Sequence, residues 1–92
     1  MTDQELRAIV LFAVKKERER QIAKRGKQRM SYGRWLKILV EEVGEVAEAM
    51  QKDEEWAKDS DSNNLFEECI HAAAVSLSIA EQVLEEELKQ YV

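Results

Sequence analysis

The absence of proline is the sequence feature that most constrains the fold. The chain has 92 residues, no proline and three glycines, which are Gly26, Gly33 and Gly44. Proline and glycine are the residues that most often end helices, so a chain with so few of them favours long helices and few connections. Gly26 and Gly33 fall in one segment, residues 25–33, which we predict to be the first break. We therefore predict an all-α fold with a single domain spanning residues 1–92.

The spacing of apolar residues predicts three main helices. The first begins at Thr2, because residues 2–5 have the capping-box pattern, and its stretch 15–24 is expected to be polar surface. The second helix runs roughly over residues 34–52, and the third over residues 65–89. Asn63 or Asn64 is expected to cap the third helix.

The third helix is expected to be buried on two sides. A main apolar stripe consists of Phe66, Ile70, Ala73, Leu77, Ala80, Leu84 and Leu88, and a second apolar face consists of Ala72, Val75, Ile79 and Val83. A helix that is apolar on two sides needs a partner on each. One side can pack inside the monomer, and a second copy of the chain is the simplest partner for the other. We therefore predict a helical bundle completed by homo-oligomerisation, as a homodimer or a homotetramer.

Composition limits the location and the partners. No apolar run approaches the ~20 residues that span a membrane, and the N-terminus lacks the basic and then apolar order of a signal peptide. The single cysteine, Cys69, excludes an internal disulfide and fits a reducing compartment, so we expect a cytoplasmic protein with Cys69 in its core. The net charge of −5 and the lack of a helix-turn-helix signature argue against nucleic-acid binding.

The charge is distributed unevenly along the chain. Residues 1–37 carry eleven Lys/Arg and four Asp/Glu, a balance of +7, whereas residues 38–92 carry three and fifteen, a balance of −12. A basic half beside an acidic half could hold a polyphosphate bridged by metal ions. The alternative is a solvated surface with complementary halves, since most surface charge has no specific role. The basic residues that we consider for phosphate contacts are Arg34, Lys37, Lys27 and Arg29.

Two polar pairs with a spacing of three residues stand in strongly apolar sequence. Glu42 and Glu45 form the first pair, and Glu68 and His71 form the second. Residues three apart share one face of a helix, and carboxylates near a helix interface are costly unless a cation neutralises them. If the two helices are adjacent and antiparallel, all four side chains could converge on a metal ion. The alternatives are solvated glutamates and a hydrogen-bonded histidine.

A metal site of this kind suggests two chemistries. Mg²⁺ prefers oxygen ligands and keeps several waters for substrate phosphates, which suits hydrolysis of a nucleotide phosphoanhydride. The pattern Glu-x-x-His on bundle helices is also used by carboxylate-bridged di-iron proteins, although one such motif per chain would require a dimer to supply the ligands.

Three further residues have two interpretations each. Trp35 could stack on a nucleobase or pack at a helix seam, and Trp56, in the polar stretch 53–62, could cover the site or pack on a partner subunit. Gly44 lies in the middle of the second helix at a cost of about 1 kcal/mol relative to alanine. A close helix contact or room for a ligand would justify that cost.

The paired motifs resemble those of the MazG-like nucleotide pyrophosphohydrolases. Residues 35–50 (WLKILVEEVGEVAEAM) are similar to the first motif of that family, and residues 67–75 (EECIHAAAV) are similar to the second. The upstream segment 19–28 (ERQIAKRGKQ) also resembles short phage and bacterial members. The resemblance implies the all-α nucleoside triphosphate pyrophosphatase fold, assembled as dimers or dimers of dimers. It implies hydrolysis of a nucleoside triphosphate to the monophosphate and pyrophosphate with Mg²⁺.

The resemblance also implies functional residues. Carried over by position, Glu42, Glu45 and Glu68 would be metal ligands and catalytic residues, whereas His71 stands where the family usually has aspartate. Imidazole is a poorer ligand for Mg²⁺ than carboxylate and favours softer metals such as Mn²⁺. Three outcomes stay open: a three-carboxylate Mg²⁺ site, a changed metal preference, or a catalytically inactive helical dimer that acts as an interaction module. Among substrate contacts, Trp35, Arg34 and Lys37 are our candidates.

Overall fold

The computed structural model describes residues 1–52 and 64–90, and these residues form three helices. They are α1, Asp3–Arg25, α2, Tyr32–Gln51, and α3, Leu65–Lys89. The described residues contain no strand, so the predicted all-α class is confirmed. Within the same two ranges, no helix combines the length and the apolar character that crossing a membrane requires. Trp56, for which we predicted a covering or packing role, lies outside the described residues.

The helix ends follow the capping residues. The Thr2 hydroxyl accepts a hydrogen bond from the Glu5 amide at 3.1 Å, and the Glu5 carboxylate accepts one from the Thr2 amide at 3.1 Å, so the predicted capping box is present. Gly26 ends α1 with a φ of 74°, a backbone conformation that favours glycine. Ser31 caps α2, which therefore begins two residues earlier than predicted. Asn64 caps α3 through a 2.9 Å bond from the Glu67 amide.

The third helix is the centre of the fold. It packs against both α1 and α2, whose backbones make no contact with each other. Its buried residues are Glu68, Ile70, Ala74, Val75, Ser78 and Gln82. Polar residues thus occupy half of the packed face, and this face carries the side chains that meet α1 and α2.

Gln82 joins α3 to the segment between α1 and α2. Its amide oxygen accepts hydrogen bonds from the Trp35 indole at 2.8 Å and from the Met30 backbone amide at 3.1 Å. Its amide nitrogen donates to the Met30 carbonyl at 2.8 Å and to Glu86 at 3.1 Å. The three bonds to Trp35 and Met30 hold the start of α2 against α3, while the bond to Glu86 lies within α3.

Three predictions about burial are wrong within the single chain. Cys69, predicted to lie in the core, is exposed. Five residues of the main apolar stripe are exposed as well, namely Phe66, Leu77, Ala80, Leu84 and Leu88. The stretch 15–24 of α1, predicted to be polar surface, contains the buried residues Glu17 and Arg18. The reason is pairing: the Arg18 guanidinium donates two hydrogen bonds to Glu81 of α3, at 2.9 and 2.7 Å, and a paired charge can be buried.

Candidate metal centre

The packing of α2 on α3 brings three metal-binding side chains together. One ligand atom from each of Glu42, Glu68 and His71 lies within 4.8 Å of the other two. Glu68 is 1% exposed, while Glu42 and His71 are partly buried. Nδ1 of His71 lies 3.8 Å from Oε2 of Glu68, as expected for two residues one helical turn apart. We call these three residues the Glu-Glu-His cluster.

The electrostatics of the cluster disfavour an ionised Glu42 in the absence of a cation. Burial raises the pKa of Glu42, and the neighbouring Glu68 and Glu17 carboxylates raise it further, whereas His71 and Arg25 act in the opposite direction. Oε2 of Glu42 is buried and accepts no hydrogen bond from the described residues. Leaving such an acceptor without a donor is costly, and a cation bound to it removes the cost. Two carboxylates and an imidazole therefore fit a divalent metal ion.

Glu45, the fourth predicted ligand, lies beside the cluster and outside it. The residue is exposed, and its ligand atoms do not belong to the group that lies within 4.8 Å. Partial burial raises the pKa of Glu45, and so does a hydrogen bond between its carboxyl group and that of Glu68. Glu45 therefore touches the cluster through Glu68.

Of the predicted substrate residues, Trp35 lines a cavity beside the cluster, whereas Arg34 and Lys37 do not. Trp35 is 3% exposed and donates its indole hydrogen bond to Gln82, so it occupies the seam between α2 and α3. Arg34 and Lys37 are exposed and line neither of the two cavities beside the cluster. Lys27 and Arg29 form ion pairs of 2.9 and 2.8 Å with Glu85, near the far end of α3.

Within residues 1–52 and 64–90, two cavities flank the cluster. On the side of Glu42 lies a small polar cavity of 220 Å³, which we call the Arg25 cavity. Its lining includes Gln21, Arg25, Gln28, Trp35, Glu41, Glu42 and Ser78. On the side of His71 lies an open groove of 510 Å³, which we call the phenylalanine groove. Its lining includes Phe12, Lys16, Glu17, Arg20, Phe66 and His71.

Two residues of α1 near the cluster escaped the sequence analysis. Glu17 is 9% exposed and accepts hydrogen bonds from Arg20 at 2.8 and 2.7 Å, which lower its pKa, and from Gln21 at 3.1 Å. Arg25 lines the cavity beside Glu42. Residues 13, 17, 21 and 25 are spaced by four, so they continue the face of α1 that begins with the partly buried Ala13. That spacing is a signal from which both residues could have been found.

Comparison with protein-family models, with curated proteins and with solved structures gave no match. The functional proposal therefore depends on the geometry of the cluster and its cavities and on the motifs of the sequence.

Proposed function

We propose that this chain is a metal-dependent nucleoside triphosphate pyrophosphohydrolase of the MazG-like kind, which gives a nucleoside monophosphate and pyrophosphate. The observation that carries the proposal is the convergence of Glu42, Glu68 and His71 within 4.8 Å. The buried Oε2 of Glu42, which has no hydrogen-bond donor among the described residues, adds support. Buried carboxylates that lie this close together are more stable in their ionised form when a cation is bound than when none is bound.

Glu42 and Glu68 would hold the metal, with His71 as a further ligand and Glu45 positioned through Glu68. We propose Mg²⁺, with Mn²⁺ or another divalent ion as the alternative, because an imidazole ligand favours softer metals. When bound, such an ion neutralises phosphate charge and lowers the pKa of a coordinated water. Glu45, whose pKa is raised, could accept or donate a proton at the edge of the cluster.

The phenylalanine groove is the proposed site of the nucleoside. Phe12 and Phe66 are 60% and 53% exposed, and Nζ of Lys16 lies 5.3 Å from the centre of the Phe12 ring. Exposed aromatic rings offer stacking surface for a base, and a nearby cation favours an anionic ligand. Trp35 is a poorer candidate for stacking because its indole is buried and hydrogen-bonded to Gln82.

A second copy of the chain is part of the proposal. The radius of gyration is 15.6 Å, whereas a compact chain of this length has a radius of about 12 Å. An added Cβ at Gly44 would meet nothing within 4 Å in the described structure, so no intrachain contact explains this glycine. Large apolar residues that are exposed include Leu6, Ile9, Leu36, Val40, Val43, Met50, Leu84 and Leu88. Covering these residues in a homodimer or a dimer of dimers would supply the burial that the monomer lacks.

Sedimentation analysis tests the assembly. We expect a dimer or tetramer at micromolar concentration, and a monomer at every concentration would contradict this part of the proposal.

The single cysteine further suits a cytoplasmic site of action, where thiols stay reduced.

An assay for released pyrophosphate tests the chemistry. Purified protein is incubated with a panel of nucleoside triphosphates and either Mg²⁺ or Mn²⁺. We expect Glu42→Gln and Glu68→Gln to abolish release, because each removes a charged ligand, while Glu87→Gln, an exposed residue near the end of α3, leaves it unchanged. Release of pyrophosphate that survives both cluster variants would contradict the proposal.

The histidine at position 71, where the MazG-like family usually has aspartate, favours a second candidate function. A member of such a family that lacks the fourth carboxylate could keep the helical fold as an interaction module without catalysis. No pyrophosphate from any nucleotide, combined with no retained metal, would support this alternative. Substitution His71→Asp tests whether residue 71 is a metal ligand. Mg²⁺-supported activity that appears or rises in the variant would place residue 71 among the ligands, and no effect would place it outside them.

A further inference from the structure

The Arg25 cavity is lined by a guanidinium and a carboxyl group that form no ion pair with each other. The guanidinium of Arg25 makes no hydrogen bond or ion pair with the described residues. Glu42 also lines the cavity, and its Oε2 is buried and accepts no hydrogen bond from the described residues either. An arginine and a glutamate close enough to pair would satisfy one another. The cavity therefore suits a ligand that can interact with the Arg25 guanidinium and with a cation held by Glu42.

The dimensions of the Arg25 cavity limit what this ligand can be. Its 220 Å³ corresponds to about seven water molecules, and sites for whole ligands usually start at about 300 Å³. Besides Arg25 and the two glutamates, the lining consists of Gln21, Gln28, Trp35, Ser78, Ile38 and Val75. The Gln28 amide has no partner among the described residues, so it is available as a donor. A small anion with several acceptor oxygens fits this lining better than a base or a sugar does.

We propose that the Arg25 cavity binds the pyrophosphate portion of the substrate and the free pyrophosphate product, with Arg25 as the phosphate-binding residue. The proposal deepens the proposed function and rests on it for the identity of the substrate. Arg25 donates to the phosphate oxygens in the planar geometry that guanidinium provides, and Gln28 adds a neutral donor. Because Glu41 and Glu42 also line the cavity, an anion is repelled there unless a divalent cation lies on Glu42. Binding of pyrophosphate should therefore require the metal.

Titration calorimetry with inorganic pyrophosphate tests the site without turnover. The full chain is titrated in excess Mg²⁺ or Mn²⁺ and again in a chelator. We expect binding only with the metal, and we expect Arg25→Gln to weaken it by at least about tenfold, as loss of a hydrogen bond between charged groups does. Lys24→Gln is the matched control, because Lys24 is exposed in the same helical turn and does not line the cavity. Arg25→Lys should keep part of the affinity, since lysine retains the charge without the forked donors.

Three results would overturn the proposal: equal affinity in the Arg25→Gln and Lys24→Gln variants, binding that persists undiminished in the chelator, or no binding of pyrophosphate with either metal. Helical circular dichroism spectra of the variants guard against a loss of fold, and Arg25→Lys gives a second reading if Arg25→Gln is poorly folded. Failure of the proposed function looks different. In that case pyrophosphate binds through Arg25 while no nucleoside triphosphate is hydrolysed. Conversely, hydrolysis without an effect of Arg25 on pyrophosphate binding removes this site and leaves the proposed function intact.

Discussion

The two halves of the packed face of α3 bury polar groups in different ways. Near its C-terminal end, Gln82 uses both atoms of its amide in four hydrogen bonds, and Glu85 pairs with Lys27, Arg29 and Lys89. Near its N-terminal end, the Glu-Glu-His cluster gathers carboxylates against one another, with an oxygen of Glu42 left without a hydrogen-bond donor among the described residues. The same helix thus carries a buried Gln82 amide with all its hydrogen bonds at one end and a carboxylate cluster at the other. At the C-terminal end, Nε of Arg29 is the exception, since it is buried and has no acceptor among the described residues.

This difference separates structural from functional burial of polar groups. A buried amide with all its hydrogen bonds made stabilises one arrangement of the helices. No ligand is needed to explain why it is buried. A buried carboxylate oxygen without a donor among the described residues, such as Oε2 of Glu42, opposes folding, so a reason outside packing is needed for its location. We expect substitution of Gln82 to lower the free energy of unfolding, and substitution of Glu42 without metal to leave it unchanged or raise it.

The largest expected effect is on Gln82. Replacing it with leucine removes its four hydrogen bonds and leaves the Trp35 indole and both Met30 backbone groups without their partner. We expect a loss of about 2–4 kcal/mol in the free energy of unfolding, since each buried unpaired group costs about 1–3 kcal/mol and Met30 can regain some water. Urea denaturation of the wild type and the Gln82→Leu variant measures this.

The control for Gln82 is the same substitution at an exposed site. Gln4 lies in the first turn of α1 and is exposed, so Gln4→Leu should stay within about 0.5 kcal/mol of the wild type. If Gln82→Leu were as mild as Gln4→Leu, the C-terminal region would not be the structural half of the comparison.

The next effect is on Glu42 and has two parts. Without metal, we expect Glu42→Gln to be at least as stable as the wild type at pH 7, because burial and the neighbouring carboxylates disfavour the charged form and raise its pKa. With metal at 100 times its dissociation constant, the wild type should gain about 2.7 kcal/mol, and the variant should lose this gain. Thermal unfolding with and without added Mn²⁺ measures both parts.

Glu87→Gln removes one negative charge at the opposite end of α3 and serves as the control for Glu42→Gln. We expect this variant to keep the full stabilisation by metal. A metal-free Glu42→Gln protein that is clearly less stable than the wild type would show that Glu42 has a structural role, and the contrast between the two regions would then disappear.

The fold was largely predictable because local signals decide it. The capping box at Thr2, the cap at Asn64 and the near absence of glycine and proline set the helices to within about two residues. The spacing of Glu68 and His71 placed both on one face of α3, and the structure adds Glu42 from α2 beside them. The spacing of residues along the sequence therefore selected the members of the cluster as candidates. The packing of α2 on α3 brings them close together.

The packed face and the cavities depend on contacts between distant residues. Apolar periodicity predicts that Leu84 and Leu88 are buried, yet Gln82 lies in the core because Trp35 and Met30 are placed to bond it. Periodicity counts a glutamine as polar surface and cannot include a partner 47 residues away. The spacing of four residues from Ala13 to Arg25 identifies the helix face of Arg25, but its place beside Glu42 follows from how α1 and α2 both pack on α3.

The smallest expected effect sharpens the comparison through pH. Lys27, Arg29 and Lys89 lower the pKa of Glu85 from 4.5 to about 2. A carboxylate with a lowered pKa in the folded state contributes stability that is complete above pH 4.5 and is lost as the pH falls toward 2. The difference in unfolding free energy between the wild type and Glu85→Gln should therefore be constant above about pH 5 and shrink toward zero near pH 2. Lys27→Gln should move the loss of this stability to higher pH, because it removes the largest cause of the lowered pKa of Glu85. If the difference in unfolding free energy between the wild type and Glu85→Gln did not change with pH, these ion pairs would not stabilise the C-terminal region.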